Sequence, residues 1–183
     1  METIVSEILK KFENKELIAI DGRCAAGKTT LAALLSEKTG CTVIHADCFF
    51  PRPEQRTEER LNTPGGNIDH ERLKSEVMLP ISRGGSFYYR RFDCKTMTFS
   101  EDFFVENNKP IIVEGSYSCH PELRDFYDLR IFLSTDYATQ LKRIEQRNGV
   151  ERVPDFRNKW IPFEEKYFSA FRIAECCDLS FTT

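Results

Sequence analysis

The chain has 183 residues, of which 40% are apolar, 30% charged and 12% aromatic; this suits one domain with a buried core and excludes a disordered chain or a second large domain. A formal charge of −3 excludes a generally basic coat for a nucleic acid polymer, while a local basic patch for a small anion remains compatible with it. No apolar run approaches the ~20 residues of a membrane span, and seven cysteines without a CxxC pair argue for reduced thiols in a cytoplasmic protein, with neither a zinc site nor a disulfide framework.

In chain order, Ile4, Val5, Ile8, Leu9 and Phe12 recur at helical spacing and predict an amphipathic helix over residues 2–13. Leu17-Ile18-Ala19-Ile20, ended by Asp21-Gly22, reads as a strand buried on both faces. The Ala- and Leu-rich stretch Lys28–Lys38 stops before Gly40 and reads as a helix. A second strand is expected over Cys41–Asp47, then a polar loop with Pro51, Pro53, Pro64, Gly65 and Gly66, and a helix over Ile68–Ile81 capped by Asn67 or Asp69. Phe87–Asp93 and Thr96–Phe99 are β-prone and predict a small hairpin. Pro110–Ser116 and Leu129–Ser134 read as further strands, Tyr137–Arg147 and Asp155–Glu175 as helices, and Asp178–Thr182 as a last strand. The repeated strand–helix order implies a doubly wound, five-stranded parallel sheet with helices on both faces, and an inserted loop and hairpin over residues 48–109.

The strongest motif is Gly22-Arg23-Cys24-Ala25-Ala26-Gly27-Lys28-Thr29, a complete GxxxxGK[ST] phosphate loop, followed by Thr30. Its setting between a strand and a helix lets successive backbone N–H groups and the positive helix end converge on phosphate oxygens. Lys28 is then the cation for the β/γ-phosphates of ATP and the Thr29 hydroxyl a ligand for Mg²⁺. A GTPase is disfavoured, because Asn108-Lys109 runs into Pro110-Ile111 and Asn158-Lys159 into Trp160-Ile161, neither a guanine-specifying NKxD motif; the choice between ATP and GTP stays open. A 183-residue chain also lacks room for the coupled domains of a motor. Phosphoryl transfer to a small acceptor remains. Cys24, beside Lys28 and a helix N-terminus, sits where a thiol pKa is expected to fall. His45 and His120 stand too far from other chemistry-bearing residues to argue for a histidine mechanism, and both read as structural.

Beyond the loop itself, His45-Ala46-Asp47-Cys48-Phe49-Phe50 after the second strand, Val113-Glu114-Gly115 at the third, and Arg143-Ile144-Glu145-Gln146-Arg147 in the late helix keep a common order. With Asp21–Thr30 they resemble the uridine kinase-like family of P-loop kinases, related to phosphoribulokinase, bacterial pantothenate kinase and nicotinamide riboside kinase. The resemblance covers nearly the whole chain and implies a P-loop NTPase fold in one domain, residues 1–183. It implies transfer of the γ-phosphoryl group of ATP, with Mg²⁺, to a hydroxyl of a small molecule, with a nucleoside as the leading acceptor. Asp47 is then the general base, Glu114 a second Mg²⁺ residue at a strand tip, and Arg143 and Arg147 lid arginines in a lid spanning residues 137–153; Arg152 is a weaker third.

In the hairpin and loop where the family places its acceptor stand Arg52, Arg56, Arg90, Arg91 and Asp93, with Phe49, Phe50, Tyr88, Tyr89, Phe92, Tyr117 and Trp160 as aromatics able to stack on a ring. Phe49, Tyr89, Arg91, Asp93 and Tyr117 are the candidate acceptor contacts. Phe92-Asp93 stands where the family usually shows Tyr-Asp, which removes a hydroxyl donor. A kinase for pantothenate, a sugar or a nucleoside monophosphate is the neighbouring reading, and a nucleotide-binding regulatory module without transfer activity is the reading from another class. Neither a membrane nor a nucleic acid polymer is an expected partner, and assembly into a homo-oligomer stays open.

Overall fold

The computed structural model describes residues 1–183. The chain runs through α1 (Glu2–Phe12), β1 (Leu17–Gly22), α2 (Lys28–Thr39) and β2 (Thr42–His45), then α3 (Glu58–Asn62), α4 (His70–Leu73) and α5 (Leu79–Ser82). The hairpin β3 (Phe87–Asp93) and β4 (Thr98–Val105) follows, with β5 (Ile111–Glu114) and β6 (Leu129–Ser134) after it. The last elements are α6 (Tyr137–Asn148), α7 (Val153–Asp155), α8 (Ile161–Phe171), α9 (Ile173–Cys176) and β7 (Leu179–Thr182).

Five strands form one parallel sheet in the order β2-β5-β1-β6-β7, while β3 and β4 pair separately and antiparallel. β1 lies at the centre and is buried throughout. Successive side chains of a strand point to opposite faces, so Ile18 and Ile20 join α1 and α2 on one side, with Val5, Ile8, Leu31 and Leu35. Leu17 and Ala19 face the other side, where Phe49, Met78, Tyr117, Tyr167 and Phe168 pack. Covering both faces with apolar helices explains why the strands read as unbroken apolar runs. No helix is long and apolar enough to cross a membrane.

Several boundaries move from their sequence expectation. β2 ends at His45, and Asp47 lies on the 3₁₀ turn Ala46–Phe49. The second hairpin strand runs to Val105 rather than stopping at Phe99. The helix expected over Ile68–Ile81 is capped by Asp69, whose carboxylate accepts the Arg72 N–H at 3.1 Å. It passes through a π-turn at Lys74–Met78 before Pro80, and the late helix does the same at Phe156–Trp160 before Pro162. A proline lacks a donor and its ring meets the carbonyl four residues back, so each helix widens by one residue ahead of it.

Candidate active site

The tip of β1 sets the site. Gly22 takes φ +138, and a Cβ there would stand 1.9 Å from the Leu133 carbonyl oxygen of the neighbouring strand. Only glycine lets the chain leave the sheet at this point. The Arg23 N–H then donates to that same Leu133 oxygen at 3.1 Å, and the Ala26 N–H to the Arg23 carbonyl at 3.1 Å. The loop closes into α2 through Gly27 at φ +95.

Just below the loop, Asp21 is fully buried and accepts four hydrogen bonds: from the N–H groups of Gly22 (2.6 Å), Tyr117 (3.1 Å) and Cys119 (2.9 Å), and from the Tyr167 hydroxyl (2.8 Å). Burial pushes its carboxyl pKa up, and these bonds oppose the push. It ties β1, the segment after β5 and α8 together.

A cavity of about 930 Å³ opens over the loop and the strand tips. Cys24–Thr30, Asp47, Glu114, Tyr117, Arg143 and Arg147 all line it, so the sequence candidates for phosphate, base, metal and lid meet at one place. The Lys28 ammonium donates to the carbonyls of Gly22 (2.7 Å) and Arg23 (2.9 Å) and to Ser116 Oγ (3.3 Å). The Thr29 hydroxyl donates to Glu114 Oε1 at 3.1 Å. A hydroxyl and a carboxylate side by side are hard oxygen donors of the kind Mg²⁺ takes together with phosphate oxygens, so these residues fit that ion. Asp47 is an exposed residue on the cavity wall, where the protein packed behind it raises its pKa against the lowering influence of Lys28.

Arg143 donates to the Ala25 carbonyl at 3.2 Å and to Thr183 Oγ1 at 2.9 Å, which fixes it against the loop. Arg147, one turn later, is exposed to the cavity and bonds Asn148 Oδ1 at 2.9 Å. Arg152 pairs with Asp155 at 3.0 Å away from the cavity, so the third arginine is not part of the site.

Four of the five expected acceptor contacts stand outside the cavity lining. Phe49 and Tyr89 are core residues, stacked on each other with ring centroids 5.7 Å apart. Arg91 lies over the Phe103 ring at 3.6 Å, and Asp93 turns the hairpin by accepting the Lys95 N–H at 2.7 Å; neither lines the cavity. Along β3 the buried places are Phe87, Tyr89 and, past a register shift between Arg90 and Phe92, Phe92, so aromatics take all of them. Tyr117 does line the cavity, as do Phe50, Arg56 and Trp160.

Two further corrections concern electrostatics. Cys24 does not carry a lowered pKa: burial and the nearby Glu164 carboxylate push its thiol well up, outweighing Lys28. His45 is not an isolated structural residue either. Its Nδ1 lies 2.5 Å from Glu114 Oε1, and that hydrogen bond raises the imidazole pKa. The two residues are register partners on β2 and β5, a neighbour relation that only the strand order reveals.

Sequence reasoning also missed Glu164 and Ser116. Glu164, on α8, is buried and accepts the Cys24 N–H at 2.9 Å and the Ser116 hydroxyl at 2.6 Å. Beside it Glu165 makes a two-point ion pair with Arg23, at 2.5 and 2.9 Å. The only sequence signal was an acidic pair, Glu164-Glu165, on the apolar-patterned stretch Ile161–Phe171.

A family model described as an AAA domain matches residues 18–159. The chain is 31% identical over 146 residues to a uridine kinase of Halobacterium salinarum, covering 74% of this chain and 63% of that one. It is 27% identical over 146 residues to a uridine kinase of Alkaliphilus metalliredigens, covering 74% and 69%. With uridine kinase-like protein 5 of Arabidopsis thaliana it shares 28% identity over 153 residues, 78% of this chain and 32% of that one. The chain thus spans less than two thirds of the Halobacterium and Arabidopsis relatives. Among solved structures, one described as a possible uridine kinase from Bacillus stearothermophilus superposes with a TM-score of 0.75 at 20% identity, covering 99% of this chain and 100% of that one. A candidate fructose transport system kinase from Silicibacter sp. TM1040 gives a TM-score of 0.70 at 20% identity, covering 98% and 97%. At those identities the two structures share the fold.

Proposed function

The chain belongs to the AAA-domain family of P-loop proteins and is uridine kinase-like within it, and from that premise we propose that it transfers the γ-phosphoryl group of ATP, with Mg²⁺, to a hydroxyl of a small molecule, a nucleoside first among them. The observation that carries this reading is the meeting of Lys28, Thr29, Asp47 and Glu114 in one cavity with the phosphate loop. A P-loop protein that only bound nucleotide would need no carboxylate facing the phosphate end from a separate turn.

In this reading the loop N–H groups and Lys28 hold the β- and γ-phosphates. Thr29 and Glu114 hold Mg²⁺, which neutralises phosphate charge when bound. Asp47 takes the proton of the attacking hydroxyl, a task its raised pKa suits because the carboxylate then holds that proton more readily. Arg143, already fixed against Ala25, and Arg147 place positive charge where negative charge develops, and α6 with the turn after it, residues 137–153, acts as the lid that excludes water. Residues 48–109 supply Phe50, Arg56 and Asn67 to the same cavity, which is the acceptor side.

The test is a phosphoryl-transfer screen with ATP and GTP against nucleosides, vitamins and sugars. Consumption of ATP that requires an added acceptor is the expected outcome. Tight ATP binding without turnover over the whole panel would leave a nucleotide-binding regulatory module instead.

A further inference from the structure

Three consecutive carbonyls of the phosphate loop are held by side chains from outside the loop. The Gln140 amide donates to the Cys24 carbonyl at 3.0 Å, Arg143 to that of Ala25 at 3.2 Å, and the Thr183 hydroxyl to that of Ala26 at 3.0 Å. No backbone N–H of the chain reaches any of the three. In a trans peptide the C=O and the following N–H point in opposite directions. Fastening the carbonyls of Cys24 and Ala26 therefore sets the direction of the N–H groups of Ala25 and Gly27. Neither of these donates to any group of the chain, and both residues line the cavity.

Ala25 lies between two of these grips. Its φ is +59, a left-handed value that a residue with a Cβ holds only where its surroundings impose it. The peptide before it is fastened by Gln140 and the peptide after it by Arg143, two side chains three apart on one face of α6. Arg143 is braced in turn by Thr183 Oγ1 at 2.9 Å. Gln140 is only 1% exposed, and its amide nitrogen also lies 3.3 Å from Cys24 Sγ. A carbonyl can only accept, so the NH₂ end of this buried amide is the end that must face the loop.

We propose that Gln140 is a positioning residue for nucleotide binding: its amide holds the peptide ahead of Ala25 and so keeps the phosphate loop in the left-handed shape that receives phosphate. Without that bond the strain at Ala25 is no longer offset, and the residue relaxes toward negative φ in most molecules. A nucleotide then binds only the fraction that still holds the shape, and apparent affinity falls by that fraction. The inference rests on the kinase reading above, in which the loop grips the β- and γ-phosphates. It adds a residue 116 positions from Cys24 in sequence, on the helix that also carries Arg143 and Arg147, to the machinery that shapes the loop.

The test uses the full chain and the non-hydrolysable β,γ-imido analogue of ATP with Mg²⁺, so that no acceptor is needed. Dissociation constants are measured by calorimetry for wild type, Gln140→Met, Ala25→Gly and the double variant. Methionine keeps the length of the side chain and removes the donor. With Ala25 in place, Gln140→Met is expected to weaken binding by about tenfold. In the Ala25→Gly background the same substitution is expected to cost about threefold or less, because glycine takes a positive φ without penalty. A glutamine that served the fold alone would lower the melting temperature and leave affinity unchanged, or weaken binding equally in both backgrounds. Either outcome overturns the proposal and leaves the kinase reading standing, whereas no binding of the analogue by wild type overturns both. Thermal melts without ligand establish that the variants fold. Where Gln140→Met does not, Gln140→Asn, which carries the amide on a stem one carbon shorter and out of reach of Cys24, replaces it in the cycle with the same expected results.

Discussion

Glu164 Oε2 and the Cys24 backbone N–H, 140 positions apart, are joined by a 2.9 Å hydrogen bond across the mouth of the phosphate loop. One donor of an anion-binding loop is thus already engaged by an anion of the protein itself. A nucleotide that brings its own negative charge to the loop meets this carboxylate at close quarters.

Replacing Glu164 by Gln keeps a hydrogen-bond acceptor and removes the like charge. Binding of a non-hydrolysable ATP analogue, measured without acceptor by calorimetry, is expected to tighten several-fold, on the order of 1 kcal/mol. Weaker binding would mean that the carboxylate only braces the loop.

Asp47→Asn removes a proton acceptor without changing size. ATP affinity is expected to stay within a few-fold of wild type, while phosphoryl transfer falls by about 10²–10⁴. Full activity in this variant would take Asp47 out of the reaction.

His120 gives the molecule a pH-dependent stability. Its ring stacks on His70 with centroids 4.1 Å apart, and burial, with the neighbouring His70, lowers its pKa to about 4. Arg60 also disfavours the charged ring, and Glu71 and Glu122 favour it. Because the folded pKa lies below the unfolded one, the unfolded chain binds the proton first. Stability is therefore full above about pH 6.5 and declines as pH falls toward 4, by up to about 3 kcal/mol from this group. Urea midpoints at pH 7 and pH 4.5 should differ less in His120→Gln than in wild type.

Gly22→Ala places a methyl 1.9 Å from the Leu133 oxygen at φ +138. No side-chain rotation relieves a clash with backbone, so a loss of about 4 kcal/mol or more is expected, read as a collapse of the denaturation midpoint.

The Cys24 thiol is held protonated by burial and by Glu164. Exposed Cys94 should consequently react with iodoacetamide at pH 7.5 well before Cys24, as peptide mass mapping will report. Faster labelling of Cys24 would reverse the electrostatic account of the loop.

Apolar runs and glycine punctuation made the parallel sheet legible, since β1, β5 and β6 are buried on both faces and leave no other reading for Ile18-Ala19-Ile20 or Ile111-Ile112-Val113. The phosphate loop was legible because its glycines and Lys28-Thr29 are local in sequence. His45 with Glu114 was not, because the strand order that makes them neighbours is set by packing of the whole sheet. Glu164 escaped notice for a related reason: a buried acid looks like any surface-helix acid until the loop it faces is in place. Phe49 and Tyr89 show the opposite ambiguity, since aromatics beside a motif are as useful to the core, where both pack, as to a ligand.

Asp21 carries a consequence for synthesis. Its carboxylate gathers groups 96, 98 and 146 positions downstream, the last of them the Tyr167 hydroxyl. During elongation the loop residues leave the ribosome early, yet the acid beneath them has no full set of partners until α8 has emerged. A nascent chain stopped before α8 would hold a buried carboxylate short of its tyrosine, and competence to grip a phosphate would arrive only with α8.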